Sequence, residues 1–187
     1  MTTAQFNTPM LRQYKEIKDE HQDAILFFRL GDFYEMFSDD AKVASKELEL
    51  TLTGRGKDEN RIPMCGVPYH AADNYIPRLV SRGYKVAICE QVEDASEAVG
   101  ITRREVVQII TPGTVTGEGQ LDDTENNYLC AIQLRKKGGY SCSYVDISTG
   151  EFRCFSLDTL SELQALIDRI QAKELIVNKE DGIELNT

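Results

Sequence analysis

Residues 30–37 read LGDFYEMF and follow the apolar run AILFF at residues 24–28. Because the run is short and wholly apolar, it predicts a buried strand over residues 25–30. The Gly-Asp pair at 31–32 predicts a turn. Residues 33–37 then form either a short returning strand or the entry to a helix. In a strand, Phe33 and Glu35 point to the same side, so an aromatic ring and a carboxylate lie together at the end of a hairpin.

Helical and strand patterns alternate on either side of this stretch. Thr8-Pro9 is a typical helix start and predicts a helix to about residue 21, and Ser38 is predicted to cap the next helix. Residues 53–61 are polar and contain glycine, which predicts a loop. Residues 62–70 are apolar but contain two prolines, which favours an edge strand or an ordered loop. Two more strands are predicted over residues 84–91 and 105–111.

The composition changes after residue 115. Residues 116–126 contain glycines and acidic residues but no aromatic residue, which predicts a linker between a domain at 1–115 and a second one at 127–187. The second predicted domain has three meandering strands, a helix capped by Asp158 and a further strand at 174–177. About sixty residues with one helix bury little apolar surface, so we expect this domain to be incomplete.

The chain has 187 residues, of which 41% are hydrophobic and 28% charged, as in soluble globular proteins. Its net charge of −10 argues against nucleic-acid binding through a generally basic surface. No apolar run approaches the ~20 residues that cross a bilayer, and the first ten residues do not resemble a secretory signal. The five cysteines are scattered without a C-x-x-C pair. We therefore expect a reduced, cytoplasmic protein that does not bind membranes.

Several residues suggest an enzyme. Asp32, Glu35, Asp39 and Asp40 could bind a metal ion for a nuclease, although the last two also suit a helix N-terminus. Asp146 ends a predicted strand, as does the first catalytic carboxylate of ribonuclease-H-like sheets, although aspartate is also common in turns. A metal-dependent nuclease using Glu35 or Asp146 is therefore one alternative.

The segment Gly54-Arg55-Gly56-Lys57 contains two glycines and two basic residues. It lacks the spacing of a nucleotide-binding phosphate loop and has no serine or threonine after the lysine. It is better interpreted as a basic loop able to contact a backbone phosphate.

Phe33 has two interpretations. Most phenylalanines belong to the core. An aromatic residue at a turn can instead enter the minor groove of DNA and stack on a base. A neighbouring carboxylate is repelled by phosphates, so Glu35 would be tolerated there only if it accepted a hydrogen bond from a base.

The motif at residues 30–37 resembles the mismatch-reading motif of the MutS family of bacterial DNA mismatch-repair proteins. Four more segments resemble the same N-terminal domain in the same order: TPM at 8–10, IPMCGVPYH at 62–70, VAICEQ at 86–91 and ITPGT at 110–114. The resemblance covers residues 8–115 closely and residues 125–187 more loosely.

The resemblance implies an α+β protein: a mixed β-sheet flanked by helices, followed by part of a ribonuclease-H-like connector domain. It implies that Phe33 stacks on a mispaired or unpaired base in kinked DNA and that Glu35 hydrogen-bonds this base. Candidate contacts to the DNA backbone are Arg55, Lys57 and Met64.

The resemblance also bears on cofactors and partners. The family is an ATPase whose nucleotide site lies in a C-terminal domain, so ATP and Mg²⁺ are expected for the full-length protein and no cofactor for these residues. This chain is expected to be a DNA-binding module rather than an enzyme, with no catalytic or metal-binding residues. The implied partners are double-stranded DNA with mismatches or small loops, a second MutS subunit and MutL.

Overall fold

The computed structural model describes residues 8–56, 61–93, 100–115, 126–183 and 185. The chain divides into two compact units, Met1–Ile110 and Thr111–Thr187. Of the predicted linker at 116–126, residues 116–125 lie outside the described residues, so the linker and the domain boundary at residue 115 stay predictions. No helix in the described part of the chain is long and apolar enough to cross a membrane.

The first unit is a six-stranded mixed sheet with helices on both faces. Its helices are α1 (Pro9–Glu20), α2 (Ser38–Leu48) and α3 (Ala72–Val80). Its strands are β1 (Ala24–Leu30), β2 (Phe33–Phe37), β3 (Thr53–Arg55), β4 (Ile62–Pro68), β5 (Lys85–Gln91) and β6 (Arg104–Ile110). The strand order is β3-β4-β2-β1-β5-β6; β1 and β5 are parallel and the other pairs are antiparallel. The predicted α+β fold is confirmed.

Helix α1 covers one face of this sheet. Thr8 caps the helix by accepting a hydrogen bond from the Leu11 amide, and proline occupies the first helical position. The Tyr14 ring packs edge-on against Phe28 and Phe37, with ring centroids 5.4 and 4.9 Å apart. Both phenylalanines are completely buried. This packing fixes β1 and β2 against α1 and forms the core of the unit on this face.

Three local predictions for the first unit were wrong. Residues 62–68 form an interior strand rather than an edge strand. The prolines are tolerated because Pro63 faces the three-residue strand β3 and Pro68 is at the strand end. Residues 53–55 belong to β3 rather than to a loop. Ser38 does not cap α2: the cap position is Phe37, which makes no side-chain hydrogen bond, and Ser38 adopts a φ of 58°.

The second unit is a four-stranded sheet with one helix. Its elements are β7 (Tyr128–Leu134), β8 (Tyr140–Asp146), β9 (Glu151–Leu157), α4 (Leu160–Ile170) and β10 (Glu174–Val177). The order is β10-β7-β8-β9, and only β10 pairs in parallel. The predicted meander is confirmed. The cap of α4 is Thr159, in a capping box with Glu162, rather than Asp158.

Candidate nucleic-acid interface

Phe33 lies at the tip of the β1–β2 hairpin. Leu30 and Phe33 are partners across a two-residue turn, and Gly31 adopts a φ of 56°, which glycine accepts without strain. The Phe33 side chain is 46% exposed. Of the two interpretations of Phe33, the core residue therefore does not apply, and the ring is accessible from outside the protein.

The turn that carries Phe33 is held by Arg29, from the opposite face of the sheet. Arg29 Nε donates a hydrogen bond to the Gly31 carbonyl at 2.5 Å. Its guanidinium stacks on the Tyr69 ring, 3.6 Å from the ring centroid, and lies 3.6 Å from a Glu90 carboxylate oxygen. The Tyr69 amide donates to the Asp32 carbonyl at 2.9 Å. These contacts fix the turn, so Phe33 is presented by a rigid element.

Tyr34 also ties the hairpin to β5 on that face. Its hydroxyl hydrogen-bonds the Glu90 carboxylate, and its ring packs against Phe27 with centroids 5.9 Å apart. Burial and, after it, the hydrogen bond to Glu90 raise the pKa of Tyr34 to about 12. The phenol is therefore protonated, and remains a donor to Glu90, throughout the physiological pH range.

The buried Arg104 holds the same hairpin from β6. Its Nε donates to the Arg29 carbonyl at 2.6 Å, and its Nη1 donates to the Gln13 side-chain oxygen at 3.0 Å and to the Thr102 carbonyl at 2.7 Å. The guanidinium also lies 5.0 Å from the centroid of the Phe28 ring. Burial lowers the pKa of Arg104. This role could not be predicted from the sequence, because the contacts with Arg29 and Gln13 join residues distant in the chain.

Four of the predicted site residues share the face of the sheet that α1 covers in part. Phe33 and Glu35 alternate with Tyr34 on β2 and so point to the same side. Met64 on β4 pairs with Phe37 on β2, which is two positions from Glu35 and so lies on the same face. Met64 also pairs with Thr53 on β3, which is two positions from Arg55 and on the same face as it. Phe33, Glu35, Arg55 and Met64 thus belong to one surface.

Glu35 and Arg55 form an ion pair on this surface. Arg55 Nη1 is 3.1 Å from Glu35 Oε2, and the two side chains are 45% and 20% exposed, respectively. Burial raises the pKa of Glu35, and the Arg55 guanidinium opposes this shift without cancelling it. The carboxylate is therefore partly desolvated and has one cationic partner.

Gly66 on β4 leaves room beside Glu35. A Cβ atom at this position would lie 3.0 Å from the Tyr34 carbonyl oxygen and 3.5 Å from Glu35 Cγ. A larger residue would therefore press on the backbone of β2 and on the Glu35 side chain. The glycine keeps the strands close and the carboxylate in place.

Two family models match the chain. MutS domain I matches residues 8–119, and MutS domain II matches residues 127–185. The chain belongs to the MutS family. The exposed Phe33, the Glu35–Arg55 pair and Met64 all lie within the part that matches MutS domain I.

Curated relatives agree with this assignment. The chain is 57% identical over 171 residues to a protein of Pelotomaculum thermopropionicum, and the match covers 90% of this chain. It is 55% identical over 174 residues to one from Geobacillus sp. and over 186 residues to one from Alkaliphilus oremlandii, with 92% and 96% of this chain covered. Each is named DNA mismatch repair protein MutS. The chain spans about a fifth of the length of these relatives.

Of the three residues of this MutS chain predicted to contact the DNA backbone, the structure describes two, and these have different surroundings. Lys57 lies outside the described residues, so its contact stays a prediction. Met64 is partly buried and packs against the core between α1 and the sheet. Arg55 lies on the exposed face but is engaged with Glu35. Its interaction with the motif glutamate was not predicted from the sequence, because residues 53–61 were interpreted as a loop.

Three of the four acidic residues considered for metal binding, Glu35, Asp39 and Asp40, have other partners. Asp40 accepts hydrogen bonds from the Tyr14 hydroxyl and the Leu26 amide and pairs with Lys18 at 2.9 Å. Asp39 pairs with Lys42. Within the described ranges, no three His, Cys, Asp or Glu side chains are grouped so that they could hold a metal ion.

Asp146 is completely buried at the end of β8 in the second unit. Its Oδ1 accepts hydrogen bonds from the Ser148 hydroxyl and amide at 2.6 and 2.9 Å, and its Oδ2 accepts one from the Asn127 amide at 3.1 Å. Burial by itself would raise the pKa of Asp146, but these donors outweigh burial and lower it. The arrangement stabilises a turn.

Proposed function

We propose that this chain is the mismatch-recognising part of a DNA mismatch repair protein. In this proposal, Phe33 enters the minor groove and stacks on a mispaired or unpaired base. The observation that carries the proposal is the exposure of Phe33 at a turn held in place by Arg29 and Tyr69. The name shared by the relatives supports the assignment to mismatch repair.

The selectivity follows from the deformability of DNA. A wedge between base steps must unstack them and bend the duplex, which costs a few kcal/mol per step. A mismatched or unpaired base has already lost part of its pairing, so the same deformation costs less there. Phe33 therefore does not need to read the base sequence. It selects sites where the bases unstack easily, and it stabilises the unstacked base by stacking worth about 1–3 kcal/mol.

In this proposal, Glu35 accepts a hydrogen bond from the unstacked base. It shares a side of β2 with Phe33, so a base on the Phe33 ring is within reach of its carboxylate. Because the carboxylate is already partly desolvated, it gains from an N–H donor on a base edge. In a fully paired duplex the bases stay stacked, so no unstacked base edge reaches the carboxylate and the nearby phosphates repel its charge.

Other parts of the protein contribute most of the affinity for DNA. The chain is acidic, with a net charge of −10, so Arg55, Lys57 and Met64 provide only local contacts to the backbone. We propose that the rest of the protein, a second MutS subunit and MutL complete the assembly, and that ATP and Mg²⁺ act at a nucleotide site beyond these residues. We propose that this chain by itself is a cytoplasmic DNA-binding module and not an enzyme.

The test compares binding to a matched duplex and to the same duplex with one mismatch, by fluorescence anisotropy over a salt series. Wild type should prefer the mismatched duplex. Phe33→Ala should lose this preference by a factor of roughly 5–150, the equivalent of one stacked base. Phe152→Ala is the matched control, because Phe152 is 63% exposed in the second unit and lies outside the proposed site. An equal preference in wild type and Phe33→Ala would disprove the proposal.

The alternative of a metal-dependent nuclease is tested by adding Mg²⁺ or Mn²⁺ to labelled duplex and looking for cleavage. The contacts of both candidate residues favour binding over cleavage, because Glu35 is paired with Arg55 and the oxygens of Asp146 accept hydrogen bonds from its own turn. Cleavage that disappears in Glu35→Gln or Asp146→Asn would favour the nuclease.

A further inference from the structure

The two side chains of the Glu35–Arg55 ion pair differ in their exposure and in the strands that carry them. Arg55 is the last residue of β3, an edge strand of three residues, and its side chain is 45% exposed. Glu35 lies on the interior strand β2 and is 20% exposed. The guanidinium can therefore turn towards solvent, whereas the carboxylate is held in place.

Two anions compete for this guanidinium when DNA is bound. Arginine binds phosphate as readily as carboxylate, through the same planar array of donors. If Arg55 leaves Glu35 for a phosphate, a partly desolvated carboxylate is left without its cation beside a chain of negative charges, which is unfavourable. The transfer is favourable only if another donor replaces Arg55 at Glu35.

We propose that Arg55 is a specificity-determining residue, which pairs with Glu35 in the free protein and transfers to a backbone phosphate when an unstacked base takes its place. This inference rests on the proposed function. An unstacked base brings an N–H donor to Glu35, so a mismatched duplex permits the transfer. In a fully paired duplex the bases stay stacked and no unstacked base edge reaches Glu35, so Arg55 stays on Glu35 and the phosphate contact is not made. The transfer thus adds a backbone contact only where a base has been unstacked.

The proposal predicts that the effect of Arg55 depends on both the duplex and Glu35. Arg55→Gln should weaken binding to a mismatched duplex by roughly 10–150-fold, the contribution of one hydrogen bond to a charged group. It should weaken binding to the matched duplex much less, because Arg55 makes no phosphate contact there and its loss only leaves the Glu35 charge uncompensated. In a Glu35→Gln background, Arg55 is released from its partner, and Arg55→Gln should then weaken binding to both duplexes equally.

The salt dependence counts the phosphate contact directly. Each phosphate contact adds about 0.9 to the slope of log K against log salt. Arg55→Gln should reduce the slope by about this amount for the mismatched duplex alone, and for both duplexes when Glu35 is glutamine. Arg61→Gln is the matched control: Arg61 is an exposed arginine one position before β4, and alternation along β4 places it on the opposite face from Glu35. It should not change the ratio of the two affinities.

The experiment uses the whole chain, the four combinations of Glu35 and Arg55 variants and two duplexes. An equal loss on both duplexes in both backgrounds would make Arg55 an ordinary backbone contact and overturn the proposal. No loss on the mismatched duplex would mean that the ion pair persists, and would also overturn it. If wild type shows no mismatch preference, or if Phe33→Ala keeps it, the proposed function fails as well. A preference that depends on Phe33 but not on Arg55 rejects the transfer alone.

Discussion

Phe33→Ala should cost the protein much less stability than the removal of a core phenylalanine. With 46% of the side chain exposed, roughly 100 Å² of the ring is covered, and an alanine would keep part of that cover. At about 25 cal/mol per Å², the loss is about 1–2 kcal/mol in the free energy of unfolding. No cavity cost is added, since the ring is open to solvent.

Phe37→Ala is the matched comparison, because Phe37 is on the same strand and the same face but is completely buried. It packs on Tyr14, so its removal should leave a cavity and cost about 3–5 kcal/mol. Native-state hydrogen exchange of the β1 amides measures both variants in the first unit alone. If Phe33→Ala loses as much stability as Phe37→Ala, Phe33 is a core residue and the reasoning about the wedge is wrong.

Three further predictions concern charge and nucleotide binding. Glu35→Gln should tighten binding to matched DNA and lower the ratio of the affinities for mismatched and matched DNA. Both effects should be smaller at high salt, because ions screen the repulsion between the carboxylate and the phosphates. Titration of both duplexes at two salt concentrations measures this, and equal weakening on both would refute it. Asp146→Asn should destabilise the second unit by about 1.5–3 kcal/mol at pH 7. Because folding lowers the pKa of Asp146, the ionised carboxylate stabilises the folded state at pH values above the pKa of the unfolded chain. This stabilisation is lost as the pH falls through the pKa of the folded state. Exchange of the β8 amides should show the full difference at pH 7, and the difference should shrink as the pH falls below the pKa of an unfolded aspartate. No saturable ATP binding should be seen by calorimetry, because the sequence has no phosphate-loop motif.

The hairpin could be predicted from the sequence because its signals are local. The apolar run, the Gly-Asp turn and the alternation of Phe33 and Glu35 are all contained in residues 24–37. The exposure of Phe33 could not be derived from these residues by themselves, because it depends on how much of this face of the sheet α1 covers. Resemblance to a family supplied what the pattern left open.

The contacts around the site depend on tertiary structure. The Glu35–Arg55 pair joins residues that are twenty positions apart, and it requires β3, a strand too short to be recognised in a polar glycine-containing segment. The support of the turn by Arg29, Tyr69 and Arg104 joins three separate parts of the first unit. Side chains of this kind carry no periodic signal, so the sequence predicted the tip of the hairpin but not its support.

In the proposed function, the Phe33 ring stacks on a base only at a mismatch. NMR spectra of the chain with labelled phenylalanine rings test it most directly, with Phe33→Ala used to assign the Phe33 signals and Phe152 as an internal reference. On addition of a mismatched duplex, the Phe33 ring protons should move upfield because they lie over an aromatic base, while a matched duplex should leave them nearly unchanged. An equal shift with both duplexes, or a shift of Phe152 with none of Phe33, would rule out stacking of Phe33 at the mismatch.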